Sequence, residues 1–567
     1  MTVVRGRDLR GDVVLDVDAV VVGTGAGGSI AMRELARAGL KVVALEEGGY
    51  LRAPDFDQRE DHMLPLLFQD GGGRTTEDLG IRVLGGRGVG GSTVHNTNLC
   101  KRTPDAILDL WARKYGVEGA SMADLEPSFA SIEKDLSVSE IAADDINPNN
   151  DALRRGALAL GWKGAVLRHN RIGCQKSGFC ELGCAYDAKQ NALKVVVPQA
   201  LAAGADLYSD VDVRRILVER GAAVGVEAIA HDGVGSAKRP VARVRVRAKV
   251  VVLAGSAVGS AALARRSGLP DPHARLGRGL RMHPGGVVAG RFDAAILAHR
   301  GIPQSYECTE MLSYEEGSDR RVWIVPAFAH PIGTAAMLPG FGAAHMRSMR
   351  AYGHLAVLTA MVHDETSGEV DVDSDGEPVI RYRMTEPDRV QLAKGLVACA
   401  RILLAAGARE DHPGRPAGAR YHRTRARRAR HVVRPPALRS ALRRSPDGDP
   451  RDGQGPAHER GLLDGRAPSG EGPLRAGRVA VPNEPRRPAA DQHLRLRAPP
   501  REARRRRREA LNATRRAAFA ARLVVATRSR PGQVTVRRRR RRRLPRRGRA
   551  AGPRPSPPSS GRRCACR

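Results

Sequence analysis

The sequence predicts an α/β fold that carries an inserted antiparallel sheet and ends in an unpatterned basic tail. Three observations predict it. Residues 18–49 read as strand, glycine-rich turn, helix and strand. Residues 369–382 alternate around Asp375-Gly376, a hairpin signal. Beyond Glu410 the hydrophobic periodicity stops and arginine takes over.

The elements follow in order. Ala19–Val22 is a short apolar run, and Ile30–Ala38 has helical spacing with Gly39 as its stop. Val42–Leu45 is a second buried strand. Gly71–Gly91 is a long glycine-rich loop. Leu193–Ala203 reads as a helix ending at Gly204, and Leu207–Ala230 as paired strands with Gly221 near the turn. Val244–Leu253 is a strand running into a small-residue turn, Ala254–Gly259. Asp388–Ala406 reads as a helix capped by Asp388 and stopped by Gly407.

The chain has 567 residues and a formal net charge of +34, a total that suggests a nucleic-acid binder. The distribution argues otherwise. Residues 411–567 hold 45 Arg, no Lys and 11 acidic residues, whereas residues 1–410 hold 50 basic and 50 acidic residues. The body is neutral and the tail carries the whole excess. Residues 1–18 are mixed and charged, with no apolar signal-peptide core, and no apolar run reaches membrane-spanning length. Eight cysteines in so long a chain do not suggest a disulfide framework. A cytoplasmic location with no membrane span is expected.

Gly23-Thr24-Gly25-Ala26-Gly27-Gly28 is a G-x-G-x-x-G turn between strand and helix. Gly23 allows the tight turn, Gly25 lets a pyrophosphate approach the backbone at the helix N-terminus, and Gly28 allows close helix–strand packing. Glu46, 18 residues after Gly28, ends the second strand, where an acid can accept from a ribose hydroxyl. A dinucleotide site on a Rossmann-type domain is expected. The motif alone does not separate FAD from NAD.

Longer blocks do. Arg82–Asn96 (RVLGGRGVGGSTVHN) resembles the first signature of the glucose–methanol–choline (GMC) family of FAD-dependent alcohol oxidoreductases. Ala254–Gly259 through Ser267-Gly268-Leu269 resembles the second signature, with Gly259-Ser260 in place of the usual Ser/Thr-Pro. Leu276–Pro284 (LGRGLRMHP) and the strand Asp212–Leu217 are similar to two further family segments. The resemblance spans roughly Asp18 to Glu410. It implies FAD as cofactor, held by Gly23, Gly25, Gly28, Glu46, Gly90, Gly91, Ser92, His95 and Asn96, with the backbone near Val213 reading the adenine. It also implies a small-molecule alcohol as substrate, and oxygen or a redox partner as electron acceptor. Three spans follow: an FAD-binding domain over 1–290, a substrate-binding domain over 291–410 and the arginine-rich tail over 411–567.

Two smaller features leave alternatives open. In some family members a His placed like His95 is bonded to the flavin; it could equally pack beside a noncovalent one. Cys174, Cys180 and Cys184 form C-x5-C-x3-C, a spacing that could ligate an iron–sulfur cluster, as some family dehydrogenases do, or line a loop of reduced thiols. His330-Pro331-Ile332-Gly333-Thr334 resembles the family's catalytic "H-x-x-G-T", but lies in the presumed substrate domain and reads as structural.

The family's catalytic segment belongs at the C-terminus, and nothing in residues 411–567 matches it. No catalytic residue can be assigned. Arg, Ala, Pro and Gly without Ile, Met or Lys is the composition of a GC-rich gene read out of frame. The genetic code supports this. Read one base later, Ser445–Asp449 with Pro450 permits His-Gln-Met-Gly-Thr, and Asp452–Glu459 permits Met-Gly-Lys-Asp-Pro-Arg-Thr. Gly472–Pro485 permits Gly-Leu-Tyr-Val-Pro-Asp-Ala-Ser-Leu-Phe-Pro-Thr-Asn, and Ala489–Arg495 permits Pro-Gln-Ile-Ser-Thr-Tyr. These windows share one phase and keep the family's order. One codon departs: where the family places a second catalytic Asn, the shifted frame cannot encode Asn or His. The reading is an FAD alcohol oxidoreductase frameshifted near Glu410 and inactive as written. The alternatives are a flavin dehydrogenase with an iron–sulfur relay, and a noncatalytic flavin-domain protein whose disordered basic tail binds nucleic acid without sequence specificity.

Overall fold

The computed structural model describes residues 2–233, 238–338 and 340–409. The expectations for residues 411–567, the disordered tail and its out-of-frame reading, lie outside the described residues.

A seven-stranded sheet forms the first layer. Its spatial order is Val3–Arg5, Asp206–Ser209, Val42–Leu45, Val13–Val22, Pro240–Leu253, Ala222–His231 and Val211–Glu219. The first five strands are parallel and the last two run antiparallel as a hairpin. Parallel strands bury both faces, and the central one does so by simple alternation. Ala19 and Val21 pack with Met32 and Ala36 of the helix Ala26–Arg37, while Val20 and Val22 pack with Val213, Val226 and Val244 on the other side. The apolar runs at Ala19–Val22 and Val42–Leu45 are therefore strands, and their pairing (Val20 opposite Val43) places the glycine turn at the C-terminal sheet edge. Gly39 has φ +85 and ends the helix as its position suggests.

The stretch expected to be one helix from Leu193 is broken into a π-type turn at Ala192–Val196 and a short helix at Val197–Ala202. Pro198 explains the break, because it has no N–H to continue the α-helical ladder.

The second layer is antiparallel: Gly285–Arg291, Leu355–Val362, Val322–Pro326, Tyr306–Cys308 and Gly164–Val166. The helices Pro148–Ala159 and Glu386–Ala405 pack on it, around Leu153, Ile324, Leu358, Leu396 and Ile402. A three-stranded sheet, Arg278–Leu280, Gly368–Val372 and Pro378–Arg381, packs with the helix Ser256–Arg266 through Val258, Ala262, Val370 and Ile380. The Asp375-Gly376 hairpin lies in this sheet, with Gly376 at φ +80.

Asp388 is not the cap of its helix. That helix starts at Glu386 with Thr385 in the N-cap position. The Asp388 carboxylate is wholly buried, pairs with Arg321 at 2.8 Å and accepts from Thr366 N at 2.8 Å and Glu365 N at 3.1 Å. Among the described residues no helix is long and apolar enough to cross a membrane.

Candidate functional site

The glycine turn and the glycine-rich loop meet at the edge of the seven-stranded sheet. A side chain at Gly28 would put its Cβ 2.0 Å from the Gly23 carbonyl oxygen. A Cβ on Gly91 would lie 2.8 Å from Gly25 Cα. The two segments approach so closely that only hydrogen fits between them. Gly25 is the N-cap of the helix Ala26–Arg37, with no side-chain cap and no acid in the first turn. Its first N–H groups are left to an anion.

Thr24, which the sequence reading passed over, ties this edge together. It is wholly buried; its N–H and hydroxyl donate to Glu46 Oε2 at 2.9 and 2.8 Å, and its hydroxyl accepts from Gly90 N at 3.3 Å. The other Glu46 oxygen accepts from Gly48 N at 3.1 Å and Gly88 N at 3.2 Å. Glu46 thus gathers the turn, the strand end and the glycine-rich loop around one buried carboxyl. Burial, with the neighbouring Glu47 charge, raises that carboxyl to about 7. Its ordinary value is 4.5, so the folded protein takes up a proton here between pH 4.5 and 7, and stability falls as pH rises through that window. In flavin-free protein, Glu46→Gln should therefore gain on the unmutated chain by about 2 kcal/mol between pH 5 and pH 8. Urea unfolding at the two pH values measures this, and a constant difference would contradict it.

Ser92 Oγ accepts from Gly86 N at 2.9 Å and closes the loop on itself. His95 lies buried at the far end, its ring 4.0 Å from that of Phe68, and its Nε2 is a buried atom with no hydrogen-bond partner. Burial and the charge of Lys189 push its pKa down to about 4. His95 is a neutral imidazole with one unused nitrogen. Asn96 is exposed, and its Oδ1 accepts from Asn98 N at 3.1 Å. Val213 lies on the hairpin strand opposite Ala228, and its carbonyl accepts from Arg266.

Lys189 is a wholly buried cation, and nothing in its sequence neighbourhood separates it from a surface lysine. Its Nζ donates to Val94 O at 2.9 Å, Asn96 O at 2.5 Å and Cys180 O at 3.1 Å. The first two carbonyls flank His95, so the ammonium holds this turn from beneath. Burial lowers its pKa to about 8. Lys189→Met leaves three carbonyls without their donor. Partly offset by removal of the buried charge, it should cost about 1–3 kcal/mol, read as a lowered Tm. An unchanged Tm would show that the carbonyls find other donors.

Cys174, Cys180 and Cys184 line one small cavity with Lys189, Arg171 and Asn98. The three are free thiols. Among the described residues, however, no group of three or more His, Cys, Asp or Glu side chains is placed to hold a metal ion. The sulfurs are engaged locally: Cys174 Sγ accepts from Lys176 N at 3.4 Å and Cys184 Sγ from Ala188 N at 3.3 Å. Burial pushes the Cys180 thiol up to about 12, which keeps it protonated. The arrangement does not support the iron–sulfur expectation.

His330 is a packed side chain. It is buried, stacks on Phe179 at 5.0 Å, and its Nε2 lies 3.3 Å from Gly178 O.

Residues 64–285 match the family model described as GMC oxidoreductase. The chain is 36% identical over 408 residues to an uncharacterized GMC-type oxidoreductase of Mycobacterium tuberculosis, covering 71% of this chain and 62% of that protein. It is 28% identical over 420 residues to a GMC-type oxidoreductase of Sinorhizobium fredii, covering 72% of this chain and 78% of that one. A long-chain-alcohol oxidase of Arabidopsis thaliana, FAO1, is 29% identical over 411 residues, 70% of this chain and 52% of that protein. The chain thus spans less than two thirds of the length of the mycobacterial and plant relatives. In fold it is similar to pyridoxine 4-oxidase, with a TM-score of 0.53, 18% identity, and coverage of 71% of this chain and 84% of that one.

Proposed function

Since the chain belongs, through residues 64–285, to the GMC oxidoreductase family, we propose that it is an FAD-binding protein of the CH–OH oxidoreductase type. The observation that carries this reading is the glycine cradle. Gly28 backs onto Gly23 and Gly91 onto Gly25, beside an uncapped helix N-terminus, with His95 Nε2 unsatisfied at the far end of the same loop. These features fit a long, bent, dianionic dinucleotide. Helix N–H groups and the Gly25–Gly91 seam would hold its pyrophosphate, Glu46 its ribose and the Ser92–Asn96 turn its ring end.

When bound, FAD would accept hydride from the carbinol carbon of an alcohol, giving an aldehyde or ketone, with oxygen or a redox partner as final acceptor. The chain's own contribution at the described site is positional. Lys189 fixes the 94–96 turn, Phe68 fixes the His95 ring, and burial keeps His95 neutral, with an Nε2 that no described protein group meets. No described residue is assigned as general base. The relatives whose printed names carry an activity include long-chain-alcohol oxidases, and an alcohol is the substrate class proposed here. Turnover is expected to be absent in the 567-residue chain.

The test is to purify the chain, record its visible spectrum, and follow dye reduction with a panel of alcohols. Bound flavin without alcohol-dependent reduction is the expected result. A colourless protein that does not take up added FAD overturns the cofactor reading, and alcohol-dependent turnover overturns the inactivity.

A further inference from the structure

Four large apolar side chains stand in solvent within 20 residues of one another. Ile332, Met337, Phe341 and Met346 are exposed to 51, 67, 94 and 56%. Ile332 and Met337 lie on the helix Pro331–Met337, Met346 on the helix Gly342–Arg350, and Phe341 is the N-cap residue of that second helix. The second helix buries none of its residues. His345 Nε2 lies 2.9 Å from Ala335 O and ties the two helices into a hairpin. Its base is anchored: His330 stacks on Phe179, and the Glu60 carboxylate accepts from Ile332 N at 2.6 Å and Gly333 N at 3.0 Å.

The charge on this hairpin has one sign. Arg347 and Arg350 are exposed on the second helix, and residues 321–363 contain no Asp or Glu. Exposed apolar side chains on a helical hairpin flanked by cations are the pattern of an interfacial element, in which the apolar groups enter the headgroup–acyl boundary and the guanidiniums meet lipid phosphates. A second copy of this chain is a poor occupant. A two-fold contact through this face would bring Arg347 and Arg350 of both copies together with no acid on the hairpin itself to separate them.

We propose that the 331–350 hairpin docks on an anionic phospholipid bilayer, seating Phe341, Met337 and Met346 in the headgroup–acyl boundary while Arg347 and Arg350 hold lipid phosphates. The inference stands apart from the flavin reading, since no residue of the glycine cradle enters it.

The arginines of residues 411–567 will themselves draw the chain to anionic vesicles, so co-sedimentation cannot be the readout. The full chain carrying Phe341→Trp is mixed with phosphatidylcholine–phosphatidylglycerol vesicles that contain brominated acyl chains. Trp111, Trp162 and Trp323 provide the background, measured in the unmutated chain. The expected result is a blue shift and bromine quenching above that background, lost when Arg347→Glu and Arg350→Glu are added. Met346→Trp gives an independent reading should the first variant fail to accumulate. Vesicle-bound protein quenched no more than the unmutated chain overturns the proposal. So does quenching that survives the charge reversal, or a dimer in light scattering that Phe341→Asp abolishes.

Discussion

Gly28→Val is expected to lower FAD affinity about 10- to 100-fold, the equivalent of about 1–3 kcal/mol of packing strain in the cradle. The reason is local. The added Cβ would sit 2.0 Å from the Gly23 carbonyl oxygen and 2.9 Å from the Ala254 Cβ. The nearest atom is backbone, so no flexible side chain can swing away. Relief requires the helix Ala26–Arg37 to move off the strand, and that opens the turn whose N–H groups would face the pyrophosphate. Gly27→Ala is the control inside the same motif, because a Cβ there meets nothing within 4 Å. It should bind FAD as the unmutated chain does. Equilibrium titration with FAD followed by fluorescence separates the two. Equal affinity for both variants would show that the cradle is not where the dinucleotide lies.

Asp388→Ala is expected to cost about 3–5 kcal/mol of stability, because it takes from the buried Arg321 its direct carboxylate partner and leaves it the His363 carbonyl at 2.8 Å and the exposed Glu365 carboxylate at 3.8 Å. Arg321 has 8% of its side chain exposed and Asp388 none, at a contact of 2.8 Å. Burial pushes the Asp388 carboxyl up, but the hydrogen bonds from Thr366 and Arg321 outweigh it and hold the pKa below its ordinary 3.8. The contribution is therefore present above pH 3.8 and is lost as pH falls below it. The pair joins the helix Glu386–Ala405 to the strand Val322–Pro326 and the loop at Glu365-Thr366, so its loss loosens the antiparallel layer rather than the flavin cradle. Urea unfolding at neutral pH measures the cost. The double variant Arg321→Met, Asp388→Leu should recover part of it, because it removes the buried charge, although the Thr366 and Glu365 N–H groups still lose their acceptor. A loss below about 1 kcal/mol would place the pair in the range of exposed ion pairs.

Periodicity, glycine spacing and turn chemistry in the sequence by themselves determined the α/β class, the Val42–Leu45 strand, the hairpin around Asp375-Gly376 and the glycine turn that defines the candidate site. Each is written in residues close along the chain, which is why it is legible there. For Asp388 and Lys189 a contact distant in sequence decided what chain-local reasoning could not. Asp388 has the spacing of a helix cap, yet Arg321, 67 residues earlier, draws it inward. The three cysteines have a ligand-like spacing, yet two of their sulfurs accept from neighbouring N–H groups and the third is held protonated by burial. Lys189 carries no sequence signal. Only the tertiary structure makes it the buried cation under His95, because Val94 and Asn96 lie 95 and 93 residues away. The depth at which a charge is buried, and the carbonyls that meet it, are set by which loops converge, and local sequence does not encode that convergence.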